Sequence, residues 1–252
     1  MVLHWGFALY LFRKLTNIHE TKATGGLLFY FAFIGYNPIS YTWEGRSQMK
    51  ILVTAFDPFG GESINPALNA VMQLPDEIEG IIIVKKELPT VFGKSVDVLY
   101  GALEEEQPDA LISVGQAGGR PNITLERIAI NIDDARFADN DGVKLVDTPV
   151  VEGGAAAYFA TLPVKEIIRS LHDAEIPAAI SNTAGTFVCN HVMYAALHYA
   201  AVNCPGLIAG FVHIPYEAKQ AVGKPMAPFM PLESVVAGLE VIIRTVAGSL
   251  EC

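Results

Sequence analysis

The stretch MKILVTAFDPFGG, residues 49–61, decides how this chain is read. It runs from a methionine and a lysine through a short apolar, strand-like segment into a glycine turn, which is how many α/β domains begin. Working outward, short β-branched runs alternate with helical patterns for the rest of the chain. The expected strands are 51–55, 80–85, 110–114, 126–132, 178–181 and 206–213, and the expected helices 66–73, 91–106, 164–174, 190–201 and 232–247. Such alternation predicts an α/β fold with a mostly parallel sheet covered on both faces. In open sheets of this kind ligands sit outside the carboxyl ends of the strands. The segments to inspect are therefore FDPFGG, GQAGGRPN, NTAGTFVC and the end of the strand at His213.

The chain has 252 residues, enough for one such domain or two smaller ones. Its 17 basic and 27 acidic residues leave a net charge of −10, which argues against a nucleic-acid surface or an anionic-membrane surface as partner. Three cysteines at long spacings form neither a disulfide framework nor a CxxC pair, so free thiols in a reducing cytoplasm are expected. The first 48 residues differ in composition: they hold both tryptophans and 11 of the 24 aromatics. Their longest apolar run, GGLLFYFAFIGY at 25–36, is 12 residues, against roughly 20 for a membrane-spanning helix. Arg13 and Lys14 follow the first apolar run, unlike the basic start of a secretory signal. The expectation is an α/β domain over 49–252 with its natural start at Met49, and a segment 1–48 that is either upstream sequence or a weakly attached extension.

Cys189 stands in SNTAGTFVCNH, 181–191, where a strand-like run turns into a helical one. A thiol near a helix N-terminus meets unpaired N–H groups and the positive end of the helix dipole, which favour the thiolate and can hold an oxyanion. The competing reading is a buried structural thiol. Cys204 in NCPG reads as a loop or core thiol and Cys252 as a tail residue. A nucleophilic thiol needs an imidazole. His172 and His198 fall inside helical patterns, and His191, two residues from Cys189, points elsewhere on a helix. His213 ends the run LIAGFVH at the ligand edge and is the best base. Glu126 in the apolar run TLERIAINI is costly unless paired, and orienting an imidazole would resolve that cost; a strand-edge acid in water or beside Arg127 is the alternative. The glycines at 115, 118 and 119 permit a tight turn close to a ligand. The run NIDDARFADNDG, 131–142, lacks the glycine and glutamate of a calcium loop, and its Arg136 is a candidate donor to an oxyanion.

Four runs, TAFDPFGGESINP, SVGQAGGRPNITLERIAINIDDAR, SNTAGTFVCNHVMY and FVHIPY, in this order, resemble the pyroglutamyl peptidase I (pyrrolidone-carboxylate peptidase) family from Met49 to about Leu250. The resemblance implies a three-layer α/β/α sandwich, phosphorylase/hydrolase-like, with a mostly parallel, mixed central sheet. It implies a cytoplasmic cysteine peptidase without metal or other cofactor, commonly a homo-oligomer, that removes N-terminal pyroglutamyl residues from peptides. It carries the nucleophile to Cys189, the base to His213 and the orienting acid to Glu126. It places Phe56 and Phe59 on either side of the lactam ring, Phe187 and Val188 beside the nucleophile, Gln116 in the matching glycine motif and Arg136 near the oxyanion. Phe137 stands where the family often has a smaller aliphatic residue. Three rivals remain at this stage: a nucleoside phosphorylase or hydrolase using the glycine turn for phosphate, an inactive binding protein of the same fold, and a zinc site from Cys189, His191 and His198. The last is poor, because three ligands along one helix do not converge on a tetrahedron.

Overall fold

The computed structural model describes residues 48–250, so the segment expected to stand apart lies outside the described residues except for Gln48. The seven-stranded central sheet has the order β2-β3-β1-β4-β9-β5-β8, where β1 is Lys50–Phe56, β2 Glu77–Ile78, β3 Ile81–Leu88, β4 Ala110–Gln116, β5 Ile123–Glu126, β8 Ala178–Ser181 and β9 Ile208–Ile214. Strands β3, β1, β4 and β9 run parallel. β5 pairs antiparallel with β9 and parallel with β8, and β2 is antiparallel to β3, so the sheet is mixed.

Period-two alternation sends β1 side chains to two cores. Ile51, Val53 and Ala55 pack with Ile112 and Val114 against helices α1 (Pro66–Gln73), α3 (Val164–Asp173) and α6 (Leu232–Leu250). Leu52 and Phe56 pack on the other face with Leu111 and Phe211 against α2 (Lys94–Glu106) and α4 (Val188–Val202). The result is the three-layer α/β/α sandwich. A short helix, α5 (Ala218–Ala221), follows β9. Burying a Leu, Ile or Phe in these cores contributes about 1.5–3 kcal/mol each. α1 starts where the sequence provides a cap: Asn65 Oδ1 accepts from Ala67 N–H at 3.0 Å and Pro66 opens the helix.

Two expectations need correction. The strand anticipated at 126–132 is broken at Arg127: Glu126 closes β5 in the central sheet, while β6 (Ile128–Ile130) leaves to form a separate two-stranded sheet with β7 (Ala157–Phe159). The helix anticipated from Val91 begins at Lys94, because Gly93 sits at φ 73 and turns the chain first.

Candidate active site

β5 and β8 run opposite to β9, which brings Glu126 level with Phe211 and Thr124 level with His213. Glu126 is the last residue of β5, and His213 and Gly115 are next to last in β9 and β4, so the site gathers on one sheet face at the ends of these strands. Phe211, His213 and Glu126 share that face, with His213 diagonal to Glu126 across the strand pair. His213 Nδ1 lies 2.8 Å from Glu126 Oε1. With the carboxylate as acceptor, Nδ1 carries the proton and Nε2 is left unprotonated.

Cys189 reaches the same face from above. It is the second residue of α4, which begins two residues before the expected helix at 190–201 and so takes Cys189 into its first turn. A Cβ on Gly115 would lie 3.1 Å from Cys189 Sγ and 2.8 Å from the Phe211 ring. Gly115 is paired with His213 in the β4–β9 register, so the thiol lies over the backbone next to the imidazole. The expected role of Gly115 in a turn gives way to this one: it is a strand residue whose missing side chain admits the sulfur. The neighbours of Cys189 hold it there. Asn190 accepts from Ile130 N–H at 3.0 Å and donates to the carbonyls of Ile130 and Ile132 at 2.9 and 3.0 Å. His191 engages Asp133 through Nδ1 at 2.7 Å and accepts from Gly93 N–H through Nε2 at 3.1 Å. Both ring nitrogens of His191 are therefore used, and His198 Nδ1 meets the Tyr158 hydroxyl at 3.0 Å, so neither turns toward Cys189 as a zinc site would require.

The electrostatics differ from the expectation that the helix N-terminus lowers the thiol. Burial, with the Glu126 charge adding to it and Arg120 opposing, pushes the Cys189 thiol up to about 12. Burial also lowers His213 below its ordinary value, against the pull of Glu126. Glu126, completely buried, would be raised by burial; the hydrogen bond from His213, the charge of that imidazole when protonated, and Ser181 and Arg120 outweigh this and hold it below the usual carboxylate range. At rest the site therefore holds a neutral thiol, a neutral imidazole and a carboxylate. No side chain caps α4, so its first-turn N–H groups remain for a ligand oxygen.

The remaining expected residues are spread around this centre. Phe56 is buried 6.1 Å from Phe211, ring to ring, and Phe59 follows it half-buried. Phe187 lies between Phe92 and Phe137, with ring centroids 5.4 and 4.8 Å away. Val188 has no accessible surface and belongs to the core. Gln116 is half-buried at the end of β4, where its Oε1 accepts from Gln220 Nε2 at 3.0 Å. Arg136 is exposed and forms no hydrogen bond among the described residues. The sequence reading missed Arg120, whose Nη1 lies 2.6 Å from both Glu126 Oε1 and Thr124 Oγ1. The available signal was the lone acid in an apolar strand, which demands a cation nearby. It also missed Asp133, hidden among the turn formers of NIDDARF.

The family model for pyroglutamyl peptidase matches residues 49–249. The chain belongs to the pyroglutamyl peptidase family. The pyrrolidone-carboxylate peptidase of Alkaliphilus oremlandii is 56% identical over 196 residues, 78% of this chain and 92% of that protein. That of a Thermoanaerobacter species is 54% identical over 199 residues, covering 79% and 98%. The crystal structure of pyroglutamyl peptidase I from Bacillus amyloliquefaciens superposes with a TM-score of 0.78 at 44% identity, covering 79% of this chain and 95% of that one. A variant of the pyrrolidone carboxyl peptidase from Pyrococcus furiosus gives 0.78 and 44%, covering 80% and 100%. As a member of this family the chain is a hydrolase acting on peptides, and its α/β fold is that of the family's solved structures.

Proposed function

We propose that this chain hydrolyses the amide bond after an N-terminal pyroglutamyl residue, with Cys189 as nucleophile, His213 as general base and acid, and Glu126 as the acid that orients the imidazole. The observation that carries this reading is the pairing of His213 Nδ1 with the buried Glu126 at 2.8 Å, next to a thiol seated over Gly115. Because thiol and imidazole are both neutral at rest, the Sγ–H proton passes to His213 Nε2 as sulfur attacks the carbonyl carbon. The oxyanion rests on first-turn N–H groups of α4, with Arg136 as a second donor. His213 returns the proton to the departing amine as the C–N bond breaks, leaving a thioester. Water then attacks, giving its proton to the same nitrogen, and the thiol leaves with that proton as free pyroglutamate is released.

A neutral lactam without a free amine suits a slot of aromatic and aliphatic side chains, the role proposed for Phe56, Phe59 and Phe187, with Val188 backing the slot from the core and Gln116 as polar partner. A charged glutamate or amine would be desolvated unpaired there and rejected. On family likeness we assign N-terminally pyroglutamylated peptides as substrates, a homo-oligomeric cytoplasmic enzyme, and a catalytic unit spanning 49–252. The test is fluorophore release from a pyroglutamyl amide, with iodoacetamide and, separately, with a chelator. Loss with the alkylator, persistence with the chelator and silence of Cys189→Ala are expected; full activity of Cys189→Ala, or loss with the chelator, overturns the reading.

A further inference from the structure

Glu126 Oε1 receives two donors at once: His213 Nδ1–H at 2.8 Å and Arg120 Nη1 at 2.6 Å. Its other oxygen, Oε2, is buried without a hydrogen bond among the described residues. Both hydrogen bonds to this completely buried carboxylate thus converge on the atom that orients the base, while Ser181 nearby also favours its charge. An isolated buried carboxylate is costly, and a neutral imidazole brings no countercharge, so a cation is needed. Arg120 is that cation, with its side chain 29% exposed against 0% for Glu126.

The arginine is also fixed to its surroundings. Nη1 reaches Thr124 Oγ1 at 2.6 Å, and Thr124 is the residue paired with His213 across β5 and β9. Nη2 donates to the Thr183 carbonyl at 3.3 Å, on the loop leading to Cys189. One guanidinium thereby links the acid, the base strand and the nucleophile loop, which its planar fork allows and a point charge would not. The turn that delivers it depends on glycine twice. Gly119 takes φ +91, and a Cβ on Gly118 would lie 2.1 Å from the Tyr216 ring.

We propose that Arg120 is a positioning residue of this site: it supplies the countercharge of Glu126, fixes the oxygen that orients His213, and ties both to the loop carrying Cys189. The inference rests on the assignment of Cys189, His213 and Glu126 made above. The charged and titratable groups facing His213 are Glu126 from β5, Arg120 from the turn before it and Cys189 from α4. The Arg120 charge opposes a proton on the imidazole, so removing it favours His213 protonation and moves the acid limb of the rate profile to higher pH.

The experiment measures kcat and KM for a pyroglutamyl amide against pH in Arg120→Met and Arg120→Lys, with Cys189→Ala and His213→Ala as references. Turnover surviving in either reference variant overturns the underlying assignment, whatever Arg120 does. With both silent, Arg120→Met is expected to lose about 100-fold in kcat, with KM near the parent's and the acid limb displaced upward. Arg120→Lys is expected to restore the limb and part of kcat, since it returns the charge without the fork. A folded Arg120→Met with the parent's kcat and acid limb overturns the proposal, and so does a loss confined to KM. If Arg120→Met does not fold, the lysine variant decides: a parental kcat overturns the proposal, and a reduced kcat with an unmoved limb supports it.

Discussion

At the scale of single residues, the site depends as much on a missing side chain as on those present. Gly115 is buried near the end of β4, between the Phe211 ring and the Cys189 sulfur, with 2.8 and 3.1 Å to where a Cβ would be. Phe211 is itself completely buried and has nowhere to retreat. Gly115→Ala is therefore expected to cost about 1–3 kcal/mol of stability, by overpacking, and to displace the thiol. Denaturant melts and the rate of pyroglutamyl amide cleavage check the two effects; an unchanged kcat would mean that the sulfur does not need this space. The buried His213 and Glu126 also set a direction for acid stability. His213 is lowered in the folded chain, so below about pH 6.5 the unfolded chain binds the proton more readily and stability falls. Glu126 is lowered too, so its contribution is present above its unfolded value and is lost as pH falls further. Both signs agree, and the melting temperature is expected to drop on acidification from about pH 6.5 downward, by less in His213→Gln.

At the scale of elements, local pattern carried the reading wherever an element's neighbours were those its own sequence implied. β1 was legible because a run that is apolar but for Thr54, followed by a glycine turn, suits a strand buried on both faces. α1 was legible to the residue, since Asn65 and Pro66 mark its start chemically. TLERIAINI was not, because its apolar character is continuous across Arg127 while its pairing is not: Ile123–Glu126 finds β9 and β8, and Ile128–Ile130 finds β7, about 30 residues downstream. Strand direction was equally hidden. Nothing in Ala178–Ser181 states that it runs opposite to β9, yet that reversal is what sets the end of β5, with Glu126, level with Phe211 and one diagonal step from His213. The Cys189, His213 and Glu126 set was reached by residue chemistry, whereas Arg120 was passed over because a surface-like turn arginine acquires meaning only when the fold folds it back six residues onto the acid.

At the scale of the whole molecule, the first 48 residues and the rest of the chain follow different rules. The family match begins at Met49, where the composition also changes, and relatives covered over 98–100% of their own length use only 79–80% of this chain. Every side chain assigned to the reaction lies beyond residue 49. No helix among the described residues is long and apolar enough to cross a membrane. A protein begun at Met49 is accordingly expected to match the full chain in kcat/KM for a pyroglutamyl amide and in melting temperature. Side-by-side kinetics and melting curves of the two forms check this, together with the intact mass of the protein from its native source. A drop in kcat/KM for the shorter form would make residues 1–48 a working part of the enzyme, and a native mass counted from Met1 would sink the idea that Met49 is its start.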